Sequence, residues 1–148
     1  MLFFGSYEHN LDNKNRVMLP SKFRSMIKGN LFCMTGFEGC LSLYTEDDFN
    51  KLSQKLSQYS FNSKAEREYI RTIYASVIEL EIDKVGRILL PTSIVNKYGI
   101  PKTVSIIGVG DHLEIWDTNK WNEYNQNSEK NFDMIAEELK WFKNIYRF

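Results

Sequence analysis

The chain has 148 residues, which is room for one ordinary domain or for two small ones that share a core. Hydrophobic residues make up 43% of it and aromatic residues 14%, so an intrinsically disordered chain is excluded. The 19 basic residues are balanced by 19 acidic ones, whereas nucleic-acid binders are usually basic. Any contact with nucleic acid must therefore come from the local placement of charge.

The two cysteines, Cys33 and Cys40, are too few for a disulfide framework, and their spacing matches no usual zinc site. We therefore expect reduced thiols at strand positions, and neither a metal site nor a cofactor. No apolar run approaches the roughly 18 residues that a membrane span needs, and no secretory segment is recognisable. These features predict a cytoplasmic protein with no membrane partner.

A strand, a tight turn and a second strand are predicted at the start of the chain. Residues 6–11 alternate between apolar and polar side chains, residues 12–16 break the alternation, and Val17 and Leu19 resume it. Asn15 accepts a positive φ more easily than most residues, so it marks the turn of a hairpin.

A short helix and two further strands complete this unit. Pro20 suits the first position of a helix, and Gly29 is placed to end it. Residues 31–35 and the alternating Leu41 and Leu43 predict two strands joined by a glycine-containing turn. Two amphipathic helices with capping-box starts are predicted next, in a connector at residues 49–75.

The second half of the chain repeats the first. Residues 83–91 follow residues 12–20 at a distance of 71, and both stretches read Asp-x-x-x-Arg, an aliphatic residue, any residue, Leu and Pro. Gly86 takes the place of Asn15, and the flanking strands alternate in the same way. A match at a fixed offset with matching flanks indicates an internal repeat, which spans residues 5–48 and 76–120.

The remaining segment, residues 121–148, is predicted to be a C-terminal helical tail. An Asn-rich stretch at 119–128 predicts a loop or the start of a helix, and apolar side chains then recur at helical spacing. Such an apolar helix must cover a core or a neighbouring subunit, because its exposure would promote association.

Little in the chain suits catalysis. His9 and His112 both fall at predicted strand positions, and Glu79 and Glu81 alternate on the wet face of a strand, which favours solvated charge over an acid–base pair. No nucleophile elbow, phosphate-cradling glycine loop or zinc-protease helix is present in the sequence. We therefore expect neither an enzyme nor a small-molecule substrate.

The charged residues of the two turns are better placed for a function. Each turn carries an acid, an arginine and a lysine: Asp12, Lys14 and Arg16 in the first, and Asp83, Lys84 and Arg87 in the second. An arginine on a rigid turn can fork onto a phosphate or onto the major-groove edge of guanine. Asn13 and Asn15 add donors and acceptors that suit a base edge or a sugar. Further basic residues follow on the adjoining helices, namely Lys22, Arg24, Lys28, Lys97 and Lys102.

Asp12 and Asp83 are expected to orient Arg16 and Arg87 through an ion pair across each hairpin. The alternative is a purely structural clasp that only stabilises the turn, since exposed ion pairs are common and weak. Both interpretations can hold together, because a clasped arginine is also a preorganised one.

The doubled motif strongly resembles the MraZ family of bacterial regulators, and each half is similar to the DNA-binding domain of AbrB and SpoVT. A single copy would also fit AbrB-like antitoxins, whereas two copies at this spacing are specific. The first copy departs from the second by Asn15 in place of Gly86 and by the polar tip residues Asn13 and Asn15. This difference leaves open whether both hairpins contact DNA equally.

The predicted elements make an α+β fold, mainly β. The resemblance implies that the two repeats form a double-split (swapped-hairpin) β-barrel, with linking helices and a C-terminal helix outside it. It also implies a ring-like homo-oligomer, associated with the nucleoid, that binds short direct repeats of double-stranded DNA upstream of the division and cell-wall gene cluster. The signature positions that it carries over are Asp12, Arg16, Asp83 and Arg87, with the arginines as the DNA contacts and the aspartates as orienting positions. With the neighbouring polar and basic side chains of the two turns, the predicted DNA-binding residues are Asn13, Lys14, Asn15, Arg16, Lys84 and Arg87.

Two functional hypotheses follow. The favoured one is a sequence-specific DNA-binding transcriptional regulator that acts through Arg16 and Arg87. The alternative is a structural or protein-interaction module, in which the repeat builds an oligomer and the hairpins contact a protein. A preference for the chain's own upstream DNA over scrambled DNA separates the two.

Overall fold

The computed structural model describes residues 2–145, with the side chains of residues 2–140. The described residues form two compact units, the first ending at Asp117 and the second beginning at Thr118. The strands are β1 (Phe3–Asn10), β2 (Arg16–Met18), β3 (Leu31–Thr35), β4 (Leu41–Thr45), β5 (Ile78–Leu80), β6 (Arg87–Leu89), β7 (Thr103–Gly110) and β8 (Leu113–Asp117). The helices are α1 (Ser21–Arg24), α2 (Glu46–Leu56), α3 (Lys64–Ser76), α4 (Thr92–Tyr98), α5 (Thr118–Lys130) and α6 (Phe132–Ile145).

Six strands of the first unit form one sheet in the order β1-β7-β8-β4-β3-β5, in which every neighbouring pair is antiparallel. The first strand of each half pairs with the third strand of the other half, β1 with β7 and β5 with β3. The fourth strands, β4 and β8, pair at the centre. The sheet is therefore symmetric: if each strand is replaced by its counterpart in the other half, the same order is read from the opposite edge. Neither half forms this sheet alone.

The two remaining strands form an antiparallel pair, the β2–β6 ribbon. Val17 of β2 lies opposite Ile88 of β6, and both side chains are fully buried. Each strand that follows a turn pairs with its counterpart in the other half. The two predicted hairpins therefore keep their turns, and the second also keeps an isolated bridge between Ile82 and Ile88. Alternation fixes the face that a strand buries but not the strand that it pairs with.

One hydrophobic core takes side chains from both halves. Phe23 of α1 packs edge-on against Phe3 and Tyr7 of β1, at ring distances of 5.5 and 5.2 Å. Leu19 and Leu90, which precede the two matching prolines, are both fully buried in this core. A second, smaller cluster forms where α2 and α3 lie against β3 and β4.

Several elements differ from their predicted form. The helix after Pro20 ends at Arg24 rather than near Gly29, and the chain continues in turns whose N–H groups bond three residues back. The Asn-rich stretch at 119–128 lies within the helix α5. The predicted tail runs to residue 148, and its last three residues lie outside the described part of the chain.

The predicted helix caps and the cysteine chemistry can also be checked. Thr45 and Ser63 accept the N–H groups of residues 48 and 66, which is the hydroxyl half of a capping box. Both cysteines are buried and free, and burial raises the pKa of each thiol to about 12. Cys33 lies on β3 as predicted, whereas Cys40 directly precedes β4.

The fold of the described residues is α+β, with more strands than helices. Within residues 2–145, none of the helices combines the length and the apolar character that crossing a membrane requires. The same residues contain no His, Cys, Asp or Glu cluster that is arranged to hold a metal ion.

Candidate nucleic-acid interface

The first turn is held together by Asp12. Its Oδ1 accepts the backbone N–H groups of Lys14 and Arg16, both at 2.9 Å, and its Oδ2 accepts Arg16 Nε at 2.7 Å. The Asp12 N–H in turn donates to the Arg16 carbonyl oxygen at 2.9 Å. One carboxylate therefore fixes both the backbone of the turn and the guanidinium of its arginine.

The second turn repeats this arrangement. Asp83 Oδ1 accepts the N–H groups of Val85 at 3.0 Å and Arg87 at 2.8 Å, and its Oδ2 accepts Arg87 Nε at 2.8 Å. We call each arrangement an Asp–Arg clasp, Asp12–Arg16 in the first half and Asp83–Arg87 in the second. The spacing Asp-x-x-x-Arg follows from it, because the carboxylate must reach both the turn and the strand that leaves it.

The hydrogen bonds of the clasp keep both carboxylates ionised. The backbone N–H of Arg16 has the largest effect on the pKa of Asp12; burial opposes it, and the Arg16 side chain reinforces it. Arg87 acts in the same order on Asp83, and the pKa of each aspartate is lowered. Each clasp is therefore an ion pair at neutral pH.

The turns pass through the left-handed region where the sequence predicts it. Asn15 has a φ of 61° and Gly86 a φ of 94°. The carbonyl of each residue then accepts an N–H from the other half, from Leu90 at 2.9 Å and from Leu19 at 3.0 Å respectively. These two reciprocal bonds extend the β2–β6 ribbon up to the turns.

The register of the β2–β6 ribbon brings the two predicted arginines together. Arg16 lies opposite Leu89, and Arg87 lies opposite Met18. Val17 and Ile88 point into the core, so the alternation directs Arg16 and Arg87 to the outer face of the ribbon. Diagonal neighbours in an antiparallel pair are about 7–8 Å apart. The ribbon thus presents one pair of arginines supplied by both halves.

Both arginines keep donors available. Each clasp occupies only Nε, and no described residue bonds the terminal nitrogens of Arg16 or Arg87. Their side chains are 28% and 31% exposed. Asn13, Lys14 and Lys84 are exposed beside them, and Asn15 is half-buried. All the predicted site residues therefore lie at the two turns or on the ribbon between them.

The other basic residues have different surroundings. Lys22 lies over the ring of Phe4 at 3.5 Å from its centroid, and Lys97 lies near the ring of Tyr98. The backbone of Lys102, from the second half, accepts the N–H of Leu11 at 2.7 Å, so this lysine lies beside the first turn. Arg24 of the first half reaches the second turn, which its sequence position did not indicate.

A second polar cluster surrounds His112, which lies in the turn between β7 and β8 rather than on a strand. Its ring nitrogens contact Asp111 at 2.7 Å and Glu114 at 3.3 Å, and its ring stacks on Tyr44. Burial lowers the pKa of His112, but the two carboxylates outweigh burial and raise it overall. Each ring nitrogen already has a carboxylate partner, which favours a structural role for this histidine over a catalytic one.

The fold and the clasps define a class of protein: two copies of one unit exchange strands within a single sheet, and the ribbon between them carries a pair of clasped arginines. A family model described as "MraZ protein, putative antitoxin-like" matches the chain twice, at residues 2–72 and 73–143. The chain belongs to the MraZ family.

Curated relatives match over nearly their full length. The chain is 41% identical over 140 residues to a protein of Mesoplasma florum, with 94% of this chain and 96% of the relative covered. It is 37% identical over 138 residues to proteins of Syntrophomonas wolfei and Mycoplasmoides gallisepticum, with 93% of this chain and 96% and 97% of the relatives covered. All three relatives carry the name "Transcriptional regulator MraZ".

Replacing Asp83 by Asn tests the second clasp. The amide keeps an oxygen for the backbone of the turn but removes the charge that faces Arg87 Nε. Because the pKa of Asp83 is lowered by folding, its ionisation stabilises the fold above the ordinary Asp value of about 3.9, and this contribution is lost as pH falls through the lowered pKa. Asp83→Asn should therefore be less stable than the parent near pH 7, and the difference should close in acid, as pH falls through the lowered pKa of Asp83.

Denaturant unfolding at pH 7 and in acid measures this difference in stability. Glu81→Gln, which neutralises an exposed carboxylate on the same approach to the turn, is the matched control and should unfold like the parent. A stability loss in Asp83→Asn that persists unchanged in acid would mean that the ion pair does not stabilise the turn.

Proposed function

We propose that this protein is a sequence-specific DNA-binding transcriptional regulator without enzymatic activity. The observation that carries the proposal is the register of the β2–β6 ribbon, which directs Arg16 and Arg87 to one outer face. The major groove of B-DNA admits a two-stranded β-ribbon, and arginine is its commonest specific reader, with guanine as the partner. The names of the curated relatives support the same class.

The proposed DNA contacts are the residues of the two turns. Arg16 and Arg87 read bases or hold phosphates with their terminal nitrogens, while Asp12 and Asp83 orient them through Nε. Asn13, Lys14, Asn15 and Lys84 contribute the surrounding donors and charges. A guanidinium that is already fixed loses little rotamer freedom on binding, so the clasp lowers the entropic cost of the contact.

The proposal also covers the organisation of the repeats. Residues 5–48 and 76–120 act as the two DNA-binding repeats, with 49–75 as a connector and 121–148 as a tail. The reciprocal bonds from Leu19 to Gly86 and from Leu90 to Asn15 support a double-split arrangement in which the hairpins are swapped between halves. A barrel closed by the β2–β6 ribbon is our interpretation of that arrangement.

A chain with no net charge has little overall electrostatic attraction to DNA. A subunit with about 3–5 basic contacts binds weakly and with a steep salt dependence. We propose that a ring-like homo-oligomer repeats the ribbon, so that successive direct repeats upstream of the division and cell-wall gene cluster are bound together. Linking the sites raises their effective concentration, which supplies affinity that net charge does not. Such an oligomer would be found with the nucleoid.

The alternative function is a protein-interaction module. It is favoured by exposed apolar side chains beside the two arginines: Leu89 is 53% exposed on the ribbon, and Val85 is 50% exposed at the second turn. An exposed apolar patch beside arginines also suits a protein partner. DNA affinity and its sequence preference decide between the two functions.

The Arg16→Ala variant tests the proposed function. We expect its affinity for the chain's own upstream DNA to fall by about 10- to 100-fold, because one arginine contact to a base is worth roughly 1–3 kcal/mol. Binding is measured by gel shift or fluorescence anisotropy at two salt concentrations, against a scrambled duplex. Lys51→Ala, an exposed cation on α2, is the control and should bind like the parent.

Two results would contradict the proposal. If the parent bound upstream and scrambled duplexes equally at both salt concentrations, sequence-specific binding would be wrong and the protein-interaction module would be favoured. If Arg16→Ala bound as tightly as the parent at equal salt, the assignment of Arg16 would be wrong.

The apolar face of α6 is the proposed contact between subunits. Phe132, Ile135 and Leu139 follow helical spacing on one side of this helix and are all exposed. Leu139→Lys should lower the native mass of the oligomer, because burial of a leucine contributes about 1.5–3 kcal/mol to an interface. Light scattering or native mass spectrometry measures the mass, and Glu137→Lys on the same helix is the control. An unchanged mass for Leu139→Lys would rule this face out as the contact.

A further inference from the structure

Arg24 connects the first half of the chain to the turn of the second half. It lies at the end of α1, and its Nη1 donates to the carbonyl oxygen of Val85 at 2.9 Å. Val85 is the exposed tip residue of the second turn. The guanidinium of Arg24 is therefore fixed at the turn that carries Lys84 and Arg87, although Arg24 is 61 residues away from Val85 in sequence.

The absence of a side chain at residue 86 makes room for this arginine. A Cβ at residue 86 would clash with Cδ and Nη1 of Arg24. Gly86 also has a φ of 94°, which disfavours any larger residue. The guanidinium thus lies directly on the backbone of the second turn.

The two halves differ here by an exchange of charge. Counting 71 residues along the chain, Lys14 at the first tip corresponds to Val85, and Arg24 corresponds to Val95. The first turn carries its own cation, Lys14, and the residue of the second half that corresponds to Arg24 is the aliphatic Val95. The second turn carries an aliphatic tip residue, and Arg24 supplies a cation from the other half. At the matching tip position, the first turn therefore has the charge of Lys14, and the second turn has the charge of Arg24.

Arg24 has unused hydrogen-bonding capacity. Its Nε is buried without a hydrogen-bond partner, and no carboxylate of the described residues lies within ion-pair distance of it. Among the described residues, Nη2 and the second hydrogen of Nη1 also have no acceptor. A phosphate oxygen accepts well from a guanidinium that a backbone carbonyl already holds in place.

We propose that Arg24 is a DNA-phosphate contact of the second turn, so that this binding site is built from both halves of the chain. The inference rests on the proposed DNA-binding function and adds a residue to it. Because a phosphate carries no sequence information, Arg24 contributes to affinity for all duplexes, whereas a base-reading residue contributes to preference.

The test measures DNA affinity against salt concentration for Arg24→Gln. Glutamine keeps an N–H donor for the Val85 carbonyl but removes the charge. We expect equal losses of affinity on upstream and scrambled duplexes, and a slope of log K against log salt that is smaller by about 0.9. Arg24→Lys, which keeps the charge, should retain the parental slope. Unfolding midpoints confirm that each variant is folded.

A rescue variant separates charge from local structure. Val85→Lys in the Arg24→Gln background returns a cation to the tip, as Lys14 does in the first turn, and should restore the parental slope. If Arg24→Gln kept the parental affinity and slope, Arg24 would be a structural support only. If Arg24→Lys lost as much slope as Arg24→Gln, or if Val85→Lys failed to restore it, the phosphate contact would be wrong.

These outcomes are distinct from a failure of the proposed function. Loss of binding in Arg16→Ala together with an unchanged Arg24→Gln overturns the role of Arg24 and leaves the DNA-binding function in place. A parent that binds no DNA at either salt concentration overturns both.

Discussion

The structure depends on the three hydrogen bonds that each clasp aspartate accepts. Those bonds bend the backbone through positive φ at Asn15 and Gly86, which turns the carbonyls of these residues toward the opposite half. There they accept the N–H groups of Leu90 and Leu19 and extend the β2–β6 ribbon. Because the ribbon contributes Val17 and Ile88 to the core that both halves share, the local geometry of the two turns adds a further junction between the halves to the one that the six-stranded sheet makes.

The same bonds make the turns suitable for recognition. A carboxylate that holds the backbone and Nε of one arginine leaves its terminal nitrogens in a defined direction. The register of the ribbon then brings Arg16 and Arg87 to one outer face, so a chain with no net charge presents two arginines close together. Folding and the proposed binding therefore rely on one set of interactions, and the structural clasp is compatible with a functional one.

Much of this could be predicted from the sequence because it is local. Most strand positions, the positive φ at Asn15 and Gly86, and the ion pairs Asp12–Arg16 and Asp83–Arg87 involve residues only a few positions apart. The repeat is visible because two such local patterns match each other along the chain. What could not be predicted depends on pairing between distant residues. Alternation cannot show that β2 pairs with β6. For the same reason the sequence did not show that Arg24 reaches Val85; the only trace was the replacement of Lys14 by an aliphatic residue in the second copy.

Hydrogen exchange measured with and without operator DNA shows whether DNA binds the β2–β6 ribbon. If the β2–β6 ribbon is the DNA-binding surface that both halves build, the backbone amides of residues 12–18 and 83–89 should exchange more slowly when upstream duplex is added. A scrambled duplex should slow their exchange less. The connector helices α2 and α3 should be unaffected. Protection that appeared on the connector helices and left both turns unchanged would contradict the account, because DNA would then bind a surface other than the clasped arginines.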